Sequence, residues 1–143
     1  MLTKLIITIL ATTFLNSFAI AETFEIKMLN KGAGGKMIYE PNYLAINIGD
    51  TVLFLPSSKG HNAETIKGMI PDGAEKFKSK VGKEFSVTLM NEGIYGIKCT
   101  PHYSMGMVAL IQVGAAVNLD AVKLVKQKGK AKGKMKLLFE QVK

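Results

Sequence analysis

Phe24, Ile26 and Met28 alternate with Thr23, Glu25 and Lys27, the period-two pattern of a strand with one face buried. The apolar runs at 44–48 (LAINI) and 51–55 (TVLFL) flank Gly49-Asp50, which predicts two further strands joined by a turn. Phe85, Val87 and Leu89 alternate with Ser86 and Thr88. Residues 93–99 follow closely, and 107–113 (MVALIQV) form a continuous apolar strand. Gly, Pro, Asn and Asp punctuate the intervals at 31–35, 56–60, 71–73 and 91–93. Short strands at this spacing predict a sandwich or barrel. The period changes only near the end. Asn118 can cap a helix carrying Leu119, Val122 and Val125, and Met135, Leu138, Phe139 and Val142 recur at i, i+3, i+4, i+7 in a second. Residues 128–133 form the break between them. No internal repeat is present.

The first 21 residues have a different character. Lys4 gives a positive start, residues 5–18 are mainly apolar, and Ala19-Ile20-Ala21 is an A-x-A cleavage signal. Thr8, Thr12, Thr13, Asn16 and Ser17 interrupt the run, which is also short for a span of ~20 apolar residues. The pattern predicts a cleaved export signal over 1–21 rather than a retained anchor. One domain is then expected over 22–143, with a helical tail from about 118, in the periplasm if the source is Gram-negative.

Charge adds less than its total suggests. The formal net charge is +8, all basic residues are lysines, and tryptophan is absent. Residues 22–122 hold ten lysines and ten acids, whereas 123–143 hold eight lysines and one acid. The basicity belongs to the tail. Without arginine, tryptophan or a base-stacking motif, nucleic-acid binding is disfavoured.

Export changes the meaning of the single cysteine. Cysteines in an oxidising compartment normally pair. Cys99 can be an intermolecular disulfide partner, a buried inert thiol or a metal ligand. It lies in the segment KCTPHYSMGM, 98–107, with His102 three residues on, Pro101 between them and Met107 further along. The other histidine, His61, sits in a loop of a different strand pair. Two imidazoles, a thiolate and a thioether form the ligand set of a blue-copper centre. Zinc fits less well, since it wants a fourth firm ligand or an open position beside a catalytic base. Met105 competes with Met107 for the axial place. A Cys-His nucleophile pair is a further option, although no third group to orient the histidine is evident.

The stretches MLNKGAGGKMIYEP, NIGDTV, KGHNAETIKGMIPDGAEKFKSK and KCTPHYSMGMVALIQVG, followed by NLDAV, carry a resemblance over the whole of 22–143. On these the chain resembles the pseudoazurins, small periplasmic cupredoxins. The resemblance implies a mainly β Greek-key sandwich of about eight strands with two C-terminal helices. It implies one copper ion cycling between Cu(I) and Cu(II), held by His61, Cys99, His102 and Met107, with Met105 similar to a non-ligating methionine. No substrate would be turned over. The implied role is a soluble one-electron carrier serving a copper nitrite reductase in denitrification, fed by a cytochrome or other periplasmic redox protein. Asn62 is expected to tie the two ligand loops together, and Met37 and Pro101 to line an apolar rim at His102. By the same resemblance Lys31, Lys59, Lys78 and Lys98 surround that rim and meet an acidic patch. Lys130 and Lys132 are expected in the far tail. Different classes remain as alternatives: a copper chaperone or storage protein, suggested by eight methionines, and a thiol enzyme.

Overall fold

The computed structural model describes residues 20–143. The export signal expected over 1–21 lies, except for Ile20 and Ala21, outside the described residues.

Eight strands form two four-stranded sheets. In chain order they are β1 (Thr23–Gly32), β2 (Gly35–Glu40), β3 (Tyr43–Ile46), β4 (Thr51–Leu55), β5 (Glu64–Thr65), β6 (Phe85–Thr88), β7 (Gly93–Lys98) and β8 (Val108–Val113). The first sheet runs β2-β1-β4-β6 and the second β3-β8-β7-β5. The chain therefore crosses between sheets repeatedly, and β1 pairs with β4, and β3 with β8, in parallel. Two helices follow, α1 (Leu119–Lys123) and α2 (Ala131–Phe139).

The alternation at the start of the chain has the predicted consequence. Ile26 and Met28 of β1, with Val52 and Phe54 of β4, point into a core shared with Tyr95 and Ile97 of β7 and Ala109, Ile111 and Val113 of β8. Burying each large apolar side chain is worth about 1.5–3 kcal/mol. The second sheet is covered on both faces. Val108 and Leu110, on the other side of β8, pack against Val122, Ala131, Met135 and Leu138 of the helices. This double covering is why 107–113 is apolar without alternation.

Two strands carry no sequence signal, and two expectations change. Strands β2 and β5 have no clear period in the sequence. Asn118 precedes α1 but makes no capping bond. Its Oδ1 accepts from the Ile94 N–H at 2.6 Å and its Nδ2 donates to the Ile94 carbonyl at 3.0 Å, so it pins the tail to β7 instead. Gly133, expected in the break, lies inside α2.

Candidate metal centre

Strand β7 ends at Lys98, and Cys99 opens the loop that returns to β8. The loop is stapled by its own backbone. The Cys99 N–H donates to Met107 O at 3.0 Å, and the His102 carbonyl accepts from the N–H groups of Met105 (3.1 Å) and Met107 (3.2 Å). A 3-10 turn, Tyr103–Met105, lies between, and Gly106 leaves it at φ 93°, where a side chain would be strained. His61 comes from the loop between β4 and β5.

These segments bring three donor atoms together. His61 Nδ1 and His102 Nδ1 are 3.1 Å apart, and Cys99 Sγ lies 3.7 Å from the first and 3.5 Å from the second. A circle through three atoms with those separations has a radius of about 2.0 Å, matching metal bonds to nitrogen and sulfur of ~2.0–2.3 Å. His61 Nε2–H donates to Asn30 Oδ1 at 2.7 Å. That bond places the ring proton on Nε2 and leaves the Nδ1 lone pair facing the other two donors. His61 and Cys99 are fully buried and His102 half-buried. The two methionines separate clearly. Met107 is fully buried in the core cluster that contains Cys99, whereas Met105 is 48% exposed.

The site's electrostatics suit a bound cation. Burial, and then the facing His102 ring, hold His61 below the ordinary imidazole value, so its nitrogen is neutral and available. Burial pushes the Cys99 thiol up, although backbone N–H groups of Asn62 and His102 pull it partly back. A cation replacing the thiol proton relieves this. Soft sulfur with two imidazoles is a donor set that copper fits.

Asn62 spans the two ligand loops. Its Oδ1 accepts from the Thr100 N–H at 2.7 Å, while its Nδ2 donates to Thr100 Oγ1 at 3.0 Å and to the Ser79 carbonyl at 3.3 Å. The buried Tyr39 hydroxyl donates to the Asn62 carbonyl at 2.6 Å. Asn30, Tyr39 and Thr100 escaped the sequence reading because nothing in their spacing marks them. Pro101 is exposed and borders a shallow depression shared with Gly60, Thr100 and Val81. Met37 is half-buried against the core in β2 and holds φ at +50°, an uncommon conformation for its type.

The four lysines are not equivalent. Lys78 and Lys98 both pair with Glu64, at 3.6 and 3.7 Å, and Lys98 Nζ also sits 5.3 Å from the centre of the Tyr103 ring. Glu64 accepts from Thr100 Oγ1 at 2.6 Å as well. Burial alone would raise its carboxyl pKa, but Thr100, Lys98 and Lys78 outweigh it and hold it low. Lys31 and Lys59 are exposed and make no ion pair among the described residues.

The tail is nearer than expected. The Lys130 N–H donates to the Ser104 carbonyl at 2.9 Å, and a Cβ on Gly129 would come within 2.4 Å of that oxygen. Lys134 Nζ donates to Gly34 O at 3.3 Å, at the β1–β2 turn. The expectation that Lys130 is remote is thereby corrected: the start of α2 rests on the ligand loop.

Comparison with known proteins agrees with this geometry. The family model of copper-binding proteins of the plastocyanin/azurin family matches residues 26–114. A pseudoazurin of Paracoccus pantotrophus is 47% identical over 123 residues, covering 85% of each chain. One from Methylorubrum extorquens is 48% identical over 125 residues, 87% of this chain and 84% of the relative. The crystal structure of pseudoazurin from Methylobacterium extorquens AM1 superposes with a TM-score of 0.82 at 48% identity, covering 85% of this chain and 99% of that one. The chain belongs to the pseudoazurins, copper-carrying electron-transfer proteins of the plastocyanin/azurin family.

Proposed function

We propose that this copper electron carrier works in the periplasm, donating single electrons to a copper nitrite reductase in denitrification, and that His61, Cys99, His102 and Met107 are its ligands. The observation that carries the ligand assignment is the convergence of His61 Nδ1, His102 Nδ1 and Cys99 Sγ on one point. When bound there, copper supplies a one-electron couple between Cu(I) and Cu(II).

The chain's own residues account for the rest. Cys99 offers a thiolate shielded from solvent, which protects it from oxidation. Met107, buried in the same core cluster, would supply the weakly held thioether, and the exposed Met105 would not. The backbone staples of the 99–107 loop and the Asn62 bridge hold the donors in place, so little reorganisation accompanies a change of charge. Of the four, only His102 reaches the surface, so its ring is where a partner meets the centre. Pro101 beside it supplies an apolar contact, and Lys31 and Lys59 carry charge available to an acidic partner.

Rapid mixing of the reduced protein with a purified copper nitrite reductase and nitrite tests the partner. Fast reoxidation that requires both enzyme and nitrite is expected. Reoxidation no faster than without the enzyme would reject this partner while leaving the copper centre standing. Cell fractionation with N-terminal sequencing tests the compartment; an unprocessed chain in the cytoplasm contradicts it.

A further inference from the structure

An open groove of about 780 Å³ lies between residues 123–127, at and just past the end of α1, and α2, outside the metal centre. Its apolar lining is the half-buried Val125 and Phe139, over the fully buried Met135. Lys123, Lys126, Lys132 and Lys136 stand around it, with Glu140 the only acid in the lining. At its lip Leu124 is 83% exposed, the most exposed large apolar side chain after Ile20 among the described residues. The surrounding segment, 123–143, carries eight lysines and one acid, whereas 22–122 balances to zero. Among the described residues no helix is long and apolar enough to cross a membrane.

The geometry points to this groove as a docking surface for an anionic phospholipid bilayer. Lysines alone would suit any acidic surface. An apolar lining and a leucine projecting from the protein's outline need an occupant that is apolar beneath a layer of negative charge. A bilayer interface has that layering, and paired basic and apolar faces are what bind it. Leu124, just past α1, and the half-buried Val125 and Phe139 supply the apolar contact, and the lysines meet phosphate headgroups. The copper carrier would then hold to the membrane surface reversibly, by charge and a shallow insertion.

Sedimentation of the full copper-loaded protein with vesicles tests this. It is expected to bind phosphatidylcholine vesicles containing phosphatidylglycerol, to ignore pure phosphatidylcholine, and to be released by high salt. Each lysine near such a surface contributes about 5-fold. Lys123→Glu, Lys126→Glu, Lys132→Glu and Lys136→Glu together should therefore weaken binding by at least ~100-fold. The same charge change at Lys27, Lys67, Lys76 and Lys83 should cost far less, and Leu124→Ser should weaken binding several-fold at constant charge. Should the quadruple variant fold poorly, the Lys123→Glu, Lys126→Glu pair and Leu124→Ser still decide. Equal losses from both lysine sets, no effect of Leu124→Ser, or no sedimentation with phosphatidylglycerol would each overturn the proposal. Retention on poly-glutamate without vesicle binding would overturn it too, and assign the groove to acidic proteins.

Discussion

One hydrogen bond, from His61 Nε2 to Asn30 Oδ1, decides which nitrogen of a buried histidine faces the centre. Asn30→Ala should free the ring to turn or change tautomer, and copper affinity should fall by ~10–100-fold, as for other partners that orient a ligand. Competition against a chelator measures this; unchanged affinity would show that packing alone holds the ring. Asn62→Ala removes the acceptor of the Thr100 N–H from a fully buried position and should destabilise the fold by about 1–3 kcal/mol in urea unfolding. The proposed ligands His61, Cys99 and His102 stood out in the sequence because their chemistry is rare: one cysteine and two histidines in 143 residues. Asn30 did not. Asparagine is common, and the placement of Asn30 is long-range: its own N–H donates to Ser58 Oγ at 3.1 Å, in the loop that carries His61. The choice between Met105 and Met107 likewise became physical only with burial. Met107→Gln should shift the reduction potential, and Met105→Gln should shift it much less. The opposite order in voltammetry would reverse the axial assignment.

Elements show the same division between pattern and partner. Period-two alternation announced β1 and β6, because one face of each meets the core and the other does not, whereas β4 was announced by its apolar run beside the Gly49-Asp50 turn. Strand β2 hid behind glycines and β5 is two residues long, so neither offered a period to read. Asn118 was recognised as a residue that bonds backbone, but its target, Ile94, lies 24 positions away. The break between helices was misplaced by its glycines, which differ in role. Gly129 holds φ at +51° against Ser104, so Gly129→Ala should destabilise the protein by at least ~1–3 kcal/mol and disturb the ligand loop, visible as a shifted potential. Gly133 has open space at its Cβ and a helical neighbourhood. Gly133→Ala should stabilise by about 0.5–1 kcal/mol, read from the unfolding midpoint. Similar destabilisation by both would mean that the contact with Ser104 is unimportant.

Over the whole molecule, charge is where sequence alone misleads most. The sequence resolved the net +8 into a neutral 22–122 and a basic tail, but it did not show that Glu64 takes up two of the four lysines that the resemblance places around the rim. Its folded carboxyl pKa is depressed, so its contribution to stability is full above the unfolded value of about 4.3 and disappears as pH falls through the folded one. Glu64→Gln should therefore cost stability at neutral pH and little in strong acid, where both chains carry a neutral side chain. A pH-independent difference in unfolding midpoint would remove the ion pairs as its cause. For steering, Lys59→Glu is the clean probe, since Lys98→Glu also breaks contacts to Glu64 and Tyr103. It should slow electron transfer to an acidic partner and flatten its salt dependence. Lys130→Glu, at the ligand loop, should do likewise, and Lys132→Glu should not. The central claim, that these scattered segments build one copper site around Cys99, is tested most directly by titrating the metal-free protein with Cu(II) under visible light. An intense blue band should saturate at one copper per chain, bleach with a mild reductant, and be missing from Cys99→Ser, which should still unfold cooperatively. A colourless copper complex, or a Cys99→Ser variant with the same band, would contradict it.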